Sequence, residues 1–171
     1  MDVREAVADS ISESDRGAII LAGTGVEDTL EYQIYERLPG LKHDEEARKR
    51  LFDNDGSVAS FSKKLWMAYA MGIVDKDYRK KIDLIREIRN ACAHSRKPIS
   101  MKTTVLQAAC KAVIKDTLAD LKDQSPKTLR DAFVVKCSLI NHYIHTGEKI
   151  EGMEAQVRHL GKLLKAEKPQ A

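Results

Sequence analysis

The chain is 171 residues long, 43% hydrophobic and 32% charged, with four prolines and nine glycines. This length and balance suit one globular domain with a real core; they exclude a disordered chain and argue against many short strands joined by turns. The net charge of +3 is too small to demand a phosphate backbone as partner, and aromatic residues, at 5%, are few for base stacking.

The first five residues, Met1-Asp2-Val3-Arg4-Glu5, lack the basic and apolar regions of a signal peptide. The early apolar run from Ala18 to Ala22 is too short to span a bilayer. A cytoplasmic chain is therefore expected, with no membrane span. Before Leu38 nine acidic residues outnumber three basic ones, so the remainder carries a net +9.

In chain order, residues 3–11 read as a short helix. Ser12 or Ser14 then caps a long helix from about Asp15 to Leu38, which Pro39-Gly40 stops. A short charged helix covers about 44–52, and Asp53-Asn54-Asp55-Gly56 is a turn. The next helix begins near Ser60, with Phe61, Leu65, Ala68 and Gly72 recurring on one face. Asp75 caps a helix over about 76–96, with Tyr78, Ile82, Ile85, Ile88 and Cys92 inward, and Pro98 forces its end. Ser100 is expected to cap a helix running to about Leu121, with Leu106, Cys110, Val113 and Leu121 inward. Ser125-Pro126 opens a last long helix, carrying Leu129, Phe133, Cys137, Ile140 and Ile144, that Gly147 ends.

The expected fold is thus all-α: a single-domain multi-helix bundle over 1–146, followed by an amphipathic helical tail over 147–171. In the tail Met153, Val157, Leu160 and Leu164 fall at helical spacing among Arg158, Lys162, Lys165 and Lys168. Docking on its own bundle is the first reading; a partner-binding or membrane-surface helix is the alternative. Cys92, Cys110 and Cys137 fall on apolar stripes without a CxxC pair, which points to reduced core residues rather than a disulfide or zinc site.

Three patterns imitate functional motifs. Gly23-Thr24-Gly25-Val26-Glu27-Asp28 has an acid where a phosphate loop needs its third glycine, so glycines for close helix approach explain it better. Ala68 to Ile82 reads as helix, turn and helix, but the second helix is too rich in isoleucine to lie in a DNA groove, so sequence-specific DNA reading is not expected. His142 and His145 are three apart, without a third ligand at matching spacing. No metal or cofactor is expected.

The helix over 76–96 carries the feature most like chemistry. Asp83, Glu87, Asn90 and His94 fall at i, i+4, i+7 and i+11, a polar stripe roughly opposite the isoleucines. Arg89 stands at the border between the faces. On an ideal helix about 140° separates Arg89 from His94, so the two do not converge by simple stacking, whereas Asn90 and His94 do. Gripping one phosphate requires Arg89 to curl round the helix, the last turn to distort, or a second subunit to complete the site.

Four ordered motifs carry a resemblance: Glu13-Ser14-Asp15-Arg16-Gly17, then Phe61-Ser62, then Ala68-Tyr69-Ala70-Met71-Gly72-Ile73, then the run from Ile85 to His94. Together they resemble the mannitol operon repressor (MtlR) family, over about Glu13 to Ile144. The resemblance implies an all-helical regulator that looks unlike ordinary DNA-binding proteins. Arg89-Asn90 followed by His94 is also similar to the signature of HEPN domains, many of which are metal-independent endoribonucleases working as dimers. Ala91-Cys92 departs from the repressor pattern, which usually has an acid and a large apolar residue there, so a difference in packing or partner choice is expected.

Two functions remain open. One is regulation through a protein partner, with a homodimer expected and Asp15, Arg16, Asp83, Arg86 and Glu87 as binding candidates. The other is RNA cleavage: His94 as acid or base on a ribose 2′-hydroxyl, Arg89 stabilising the phosphate charge, Asn90 holding the imidazole or the phosphate. Beside both stands a purely structural role for Arg89, Asn90 and His94 at a helix C-terminus, where cations suit the dipole.

Overall fold

A computed structural model describes residues 14–96, 99–121 and 123–150. The short helix expected at 3–11 and nearly all of the tail lie outside these residues. Six α-helices make up the described fold: α1 (Asp15–Glu36), α2 (Glu45–Phe52), α3 (Phe61–Ala70), α4 (Lys76–His94), α5 (Thr104–Val113) and α6 (Pro126–Thr146). Short 3-10 turns cover Pro39–Leu41 and Leu118–Asp120, and no strand occurs among the described residues. No described helix is long and apolar enough to cross a membrane.

Helix starts follow local chemistry. Ser14, Asp44, Ser60, Asp75 and Ser125 each accept a hydrogen bond from a backbone N–H of the first turn, which satisfies donors that the helix itself cannot. Gly147 ends α6 with φ +76°, a left-handed conformation that favours glycine. Gly72, expected on the face of α3, instead turns the chain after that helix with φ +71°.

α1 lies at the centre and packs against α3, α4 and α6. Its Ile19, Gly23, Val26, Leu30 and Ile34 are buried, a spacing that keeps one face inward. Phe61, Leu65, Ala68, Ile82, Ile85, Ile88, Leu129, Phe133, Ile140 and Ile144 complete the core. Each fully buried side chain of this size contributes about 1.5–3 kcal/mol. Cys92, Cys110 and Cys137 are free and buried in it. Burial pushes the Cys110 thiol up to about 12, so it stays protonated and unreactive at neutral pH.

The helix expected over Ser100–Leu121 is cut at both ends. At its start Met101 is buried, its N–H donates to Asp15 at 2.8 Å, and its carbonyl accepts from Gln107 at 2.7 Å. Beyond Val113, Asp116 is held between Lys81 of α4 (3.0 Å) and Lys136 of α6 (2.6 Å). The Thr117 hydroxyl donates to the Ile114 carbonyl. These tertiary and local bonds replace the helical ladder, so α5 spans only ten residues.

Candidate functional site around α4

α4 runs antiparallel to α1, and Gly23 is what allows their closeness: a Cβ there would stand 2.8 Å from Arg89 Cβ. The glycine reading of that segment therefore has a structural basis. At one end of the contact Arg16 donates to the Ala93 carbonyl at 3.0 Å. This serves the C-terminus of α4, where unsatisfied carbonyls and the dipole favour a cation. Asp15, next along, accepts from Met101 N–H and faces Arg130 at 3.5 Å. Asp15 and Arg16 thus tie three segments together.

Arg89 turns towards α1. Its guanidinium donates to Glu27 at 2.9 Å and to the Asn90 side-chain oxygen at 2.9 Å. Glu27 also takes Lys64 of α3 at 3.2 Å, and Lys64 meets Glu31 at 2.7 Å. The side chains of Lys64 and Glu27 are only 7% and 12% exposed, and that of Arg89 25%. Burial alone would lower the Lys64 ammonium, but hydrogen bonding to Glu31 and the charge of Glu27 hold it above its ordinary value. Burial and the neighbouring Glu27 charge raise the Asp28 carboxyl. The result is a two-carboxylate, two-cation network held between three helices and partly open to solvent at Arg89 and Glu31.

His94 stands apart from that network. It is exposed at the last residue of α4, and no hydrogen bond or ion pair engages it among the described residues. Arg89 and Asn90 are therefore brought together, while neither is bonded to His94. Arg86 spans Asp83 at 2.8 Å and Glu87 at 3.4 Å on the outer face. His142 and His145 diverge: His142 faces Glu148 at 3.5 Å, and His145 Nδ1 meets the Gln33 amide at 2.7 Å. Among the described residues no cluster of three or more metal-ligating side chains forms.

Sequence patterning missed two features. The first is the network itself. Its signal was present in Lys64, which falls on the apolar stripe of Phe61, Leu65 and Ala68 and so needs a buried anion. The second is an open groove of about 330 Å³ between α4 and α5. Leu84, Ile88, Ala91 and Cys92 form one wall; Val105, Leu106, Ala109 and Ala112 form the other. Leu84 is 38% and Val105 78% exposed, and Glu87 is the one charged residue among the described lining residues. His94 lies three residues beyond Ala91, near the same angular position on α4, so it stands past the groove's far end. Small alanines on α5 leave the space open.

No family model, curated protein or solved structure matches the chain.

Proposed function

We propose that this chain is a regulator of the MtlR-like kind, acting through protein contacts rather than through a DNA-reading element of its own, with repression of a carbohydrate operon as the specific role its motifs suggest. The observation that carries this reading is the α4–α5 groove. An apolar trough with half-exposed Leu84 and largely exposed Val105, beside the polar stripe Asp83, Glu87, Asn90 and His94, has the apolar-centre and polar-rim character of a protein contact surface. The burial of α4 against α1, α3 and α5 fits a core helix better than one lying in a DNA groove.

The test restores the chain to cells that lack it. Wild type and His94→Ala should repress the same transcripts and retain the same protein partner, whereas Val105→Asp should lose both with its helical content unchanged. Full function in Val105→Asp would remove the groove from the account.

Metal-independent RNA cleavage is the alternative, and one observation favours it: the His94 imidazole is exposed and unengaged among the described residues. Imidazole is a side chain that can serve as general acid or general base in such a reaction. Against it, the Arg89 charge is already met by Glu27. A phosphate would have to compete with that carboxylate, or a second subunit would have to supply the cation.

A further inference from the structure

We infer that Arg79, seated on the exposed rings of Trp66 and Tyr69, forms with them a docking surface for an acidic segment of a protein partner, one in which a carboxylate adjoins a large apolar side chain. Capture of such a segment by the purified chain stands on the geometry alone; its regulatory use rests on the function proposed above.

The end of α3 and the start of α4 build this surface. Trp66 and Tyr69 stand one turn apart on α3, 54% and 38% exposed, with ring centroids 6.0 Å apart and planes at 77°. Arg79 reaches across from α4, its guanidinium carbon 4.4 Å from the Trp66 centroid and 5.4 Å from that of Tyr69. The negative faces of the rings attract the cation. Trp, Tyr and Arg are also the residue types that most often anchor protein contacts.

The charge of Arg79 is unanswered. Arg86 and Arg89, the other arginines of α4, each meet a carboxylate; Arg79 meets none among the described residues. Its i−4 and i+4 neighbours are acids, but both are engaged elsewhere. Asp75 caps the helix and pairs with Lys149, and Asp83 takes Arg86. Arg79 Nε is buried without an acceptor, whereas the two terminal amino groups are neither bonded nor sealed from solvent. A guanidinium held on two rings with its outer edge free is preorganised for a carboxylate, which it grips through two parallel hydrogen bonds.

The surroundings agree in sign. Lys76 and Lys80 are exposed within about 100° of Arg79 around α4, and Asp77 falls about 160° away. Neither lysine pairs with a carboxylate among the described residues. Ring geometry favours a peptide over a nucleic acid. Steeply inclined rings that share one cation leave no parallel faces to hold a base, whereas the exposed flank of Trp66 can cover an apolar side chain. Leu84 lies about 140° from Arg79 around the helix, so this surface is separate from the α4–α5 groove.

Trp66 is the single tryptophan of the chain, so its fluorescence reports on the surface directly. The probes are a soluble peptide of alternating glutamate and leucine and its glutamine counterpart, each titrated into the full chain. The glutamate peptide should shift Trp66 emission saturably and bind more weakly as salt rises; the glutamine peptide should bind at least tenfold more weakly. Arg79→Gln should weaken the glutamate peptide at least tenfold with helical content unchanged, and Arg79→Lys should recover part of the loss. Lys127→Gln removes a charge at the far end of α6, away from the Tyr143 hydroxyl that meets Asp75, and should change nothing. No response, equal binding of the two peptides, or equal affinity in Arg79→Gln would overturn the inference. So would tighter binding of a single-stranded RNA that Arg79→Gln abolishes, which would assign the surface to nucleic acid. A wild-type dimer that Arg79→Gln dissociates would assign it to a second copy and overturn it as well. The test of the groove varies Val105 instead, so the two readings fail separately.

Discussion

Removing the Glu27 carboxylate tests whether Arg89 is a structural cation. In Glu27→Ala, Arg89 keeps only the Asn90 amide oxygen, and Lys64 keeps only Glu31. Stripping one partner from a buried ion pair costs about 3–5 kcal/mol. Lys64 retains a carboxylate at 2.7 Å and Arg89 is one quarter exposed, so the low end applies, about 3 kcal/mol. That is a loss of about 150-fold in the folding equilibrium, and about 6–12 °C in Tm for a chain of this size. Urea unfolding followed by circular dichroism measures it. Arg89→Ala should be destabilised too, and the double variant should show a coupling of at least about 1 kcal/mol. A cost for Glu27→Ala under about 0.5 kcal/mol, the range of an exposed surface pair, or strict additivity with Arg89→Ala, would refute the buried network.

Two further variants probe the frame that holds the site. Gly23→Ala gains about 1 kcal/mol in helix propensity, but its Cβ meets Arg89 Cβ at 2.8 Å and Cγ at 2.9 Å. Overpacking costs of about 1–3 kcal/mol outweigh that gain, so a lowered urea midpoint is expected, and a raised one would show that α1 and α4 are not in close contact. Asp116→Asn removes the anion between Lys81 and buried Lys136 and should cost about 2 kcal/mol at pH 7. Burial alone would raise the Asp116 carboxyl, but Lys136 and Lys81 hold it below its ordinary value. Its contribution is therefore present above the unfolded carboxyl range and is lost as pH falls through the lower folded value. Wild type and Asp116→Asn should converge in stability as pH falls from the unfolded carboxyl range through the lower folded value; a gap that stays constant throughout acid titration would contradict the ion pairing.

Much of this architecture was legible in the sequence because local chemistry decides it. The caps at Ser14, Asp75 and Ser125, the helix starts near Asp44 and Ser60, and the stop at Gly147 are short-range signals, and the apolar stripes of α4 and α6 follow the helical period. α5 was read too long because Met101 and Asp116 are captured by residues far away in the chain, which no local pattern contains. The same holds at the candidate site. A helical wheel put Arg89 on the border between faces; Glu27, 62 residues earlier, turns its side chain inward. The separation of Arg89 from His94 was foreseeable from their 140° offset. The groove was not, since it depends on how two helices sit and on alanine side chains too small to fill the space between them.

The most direct measurement is RNA cleavage by the purified full chain in EDTA, comparing wild type with His94→Ala and confirming the fold of both. If the chain acts through protein contacts and Arg89 serves Glu27, the two proteins will show the same background rate. A wild-type rate well above background that falls by about a hundredfold or more in His94→Ala, the scale of a lost general acid or base, would contradict that account.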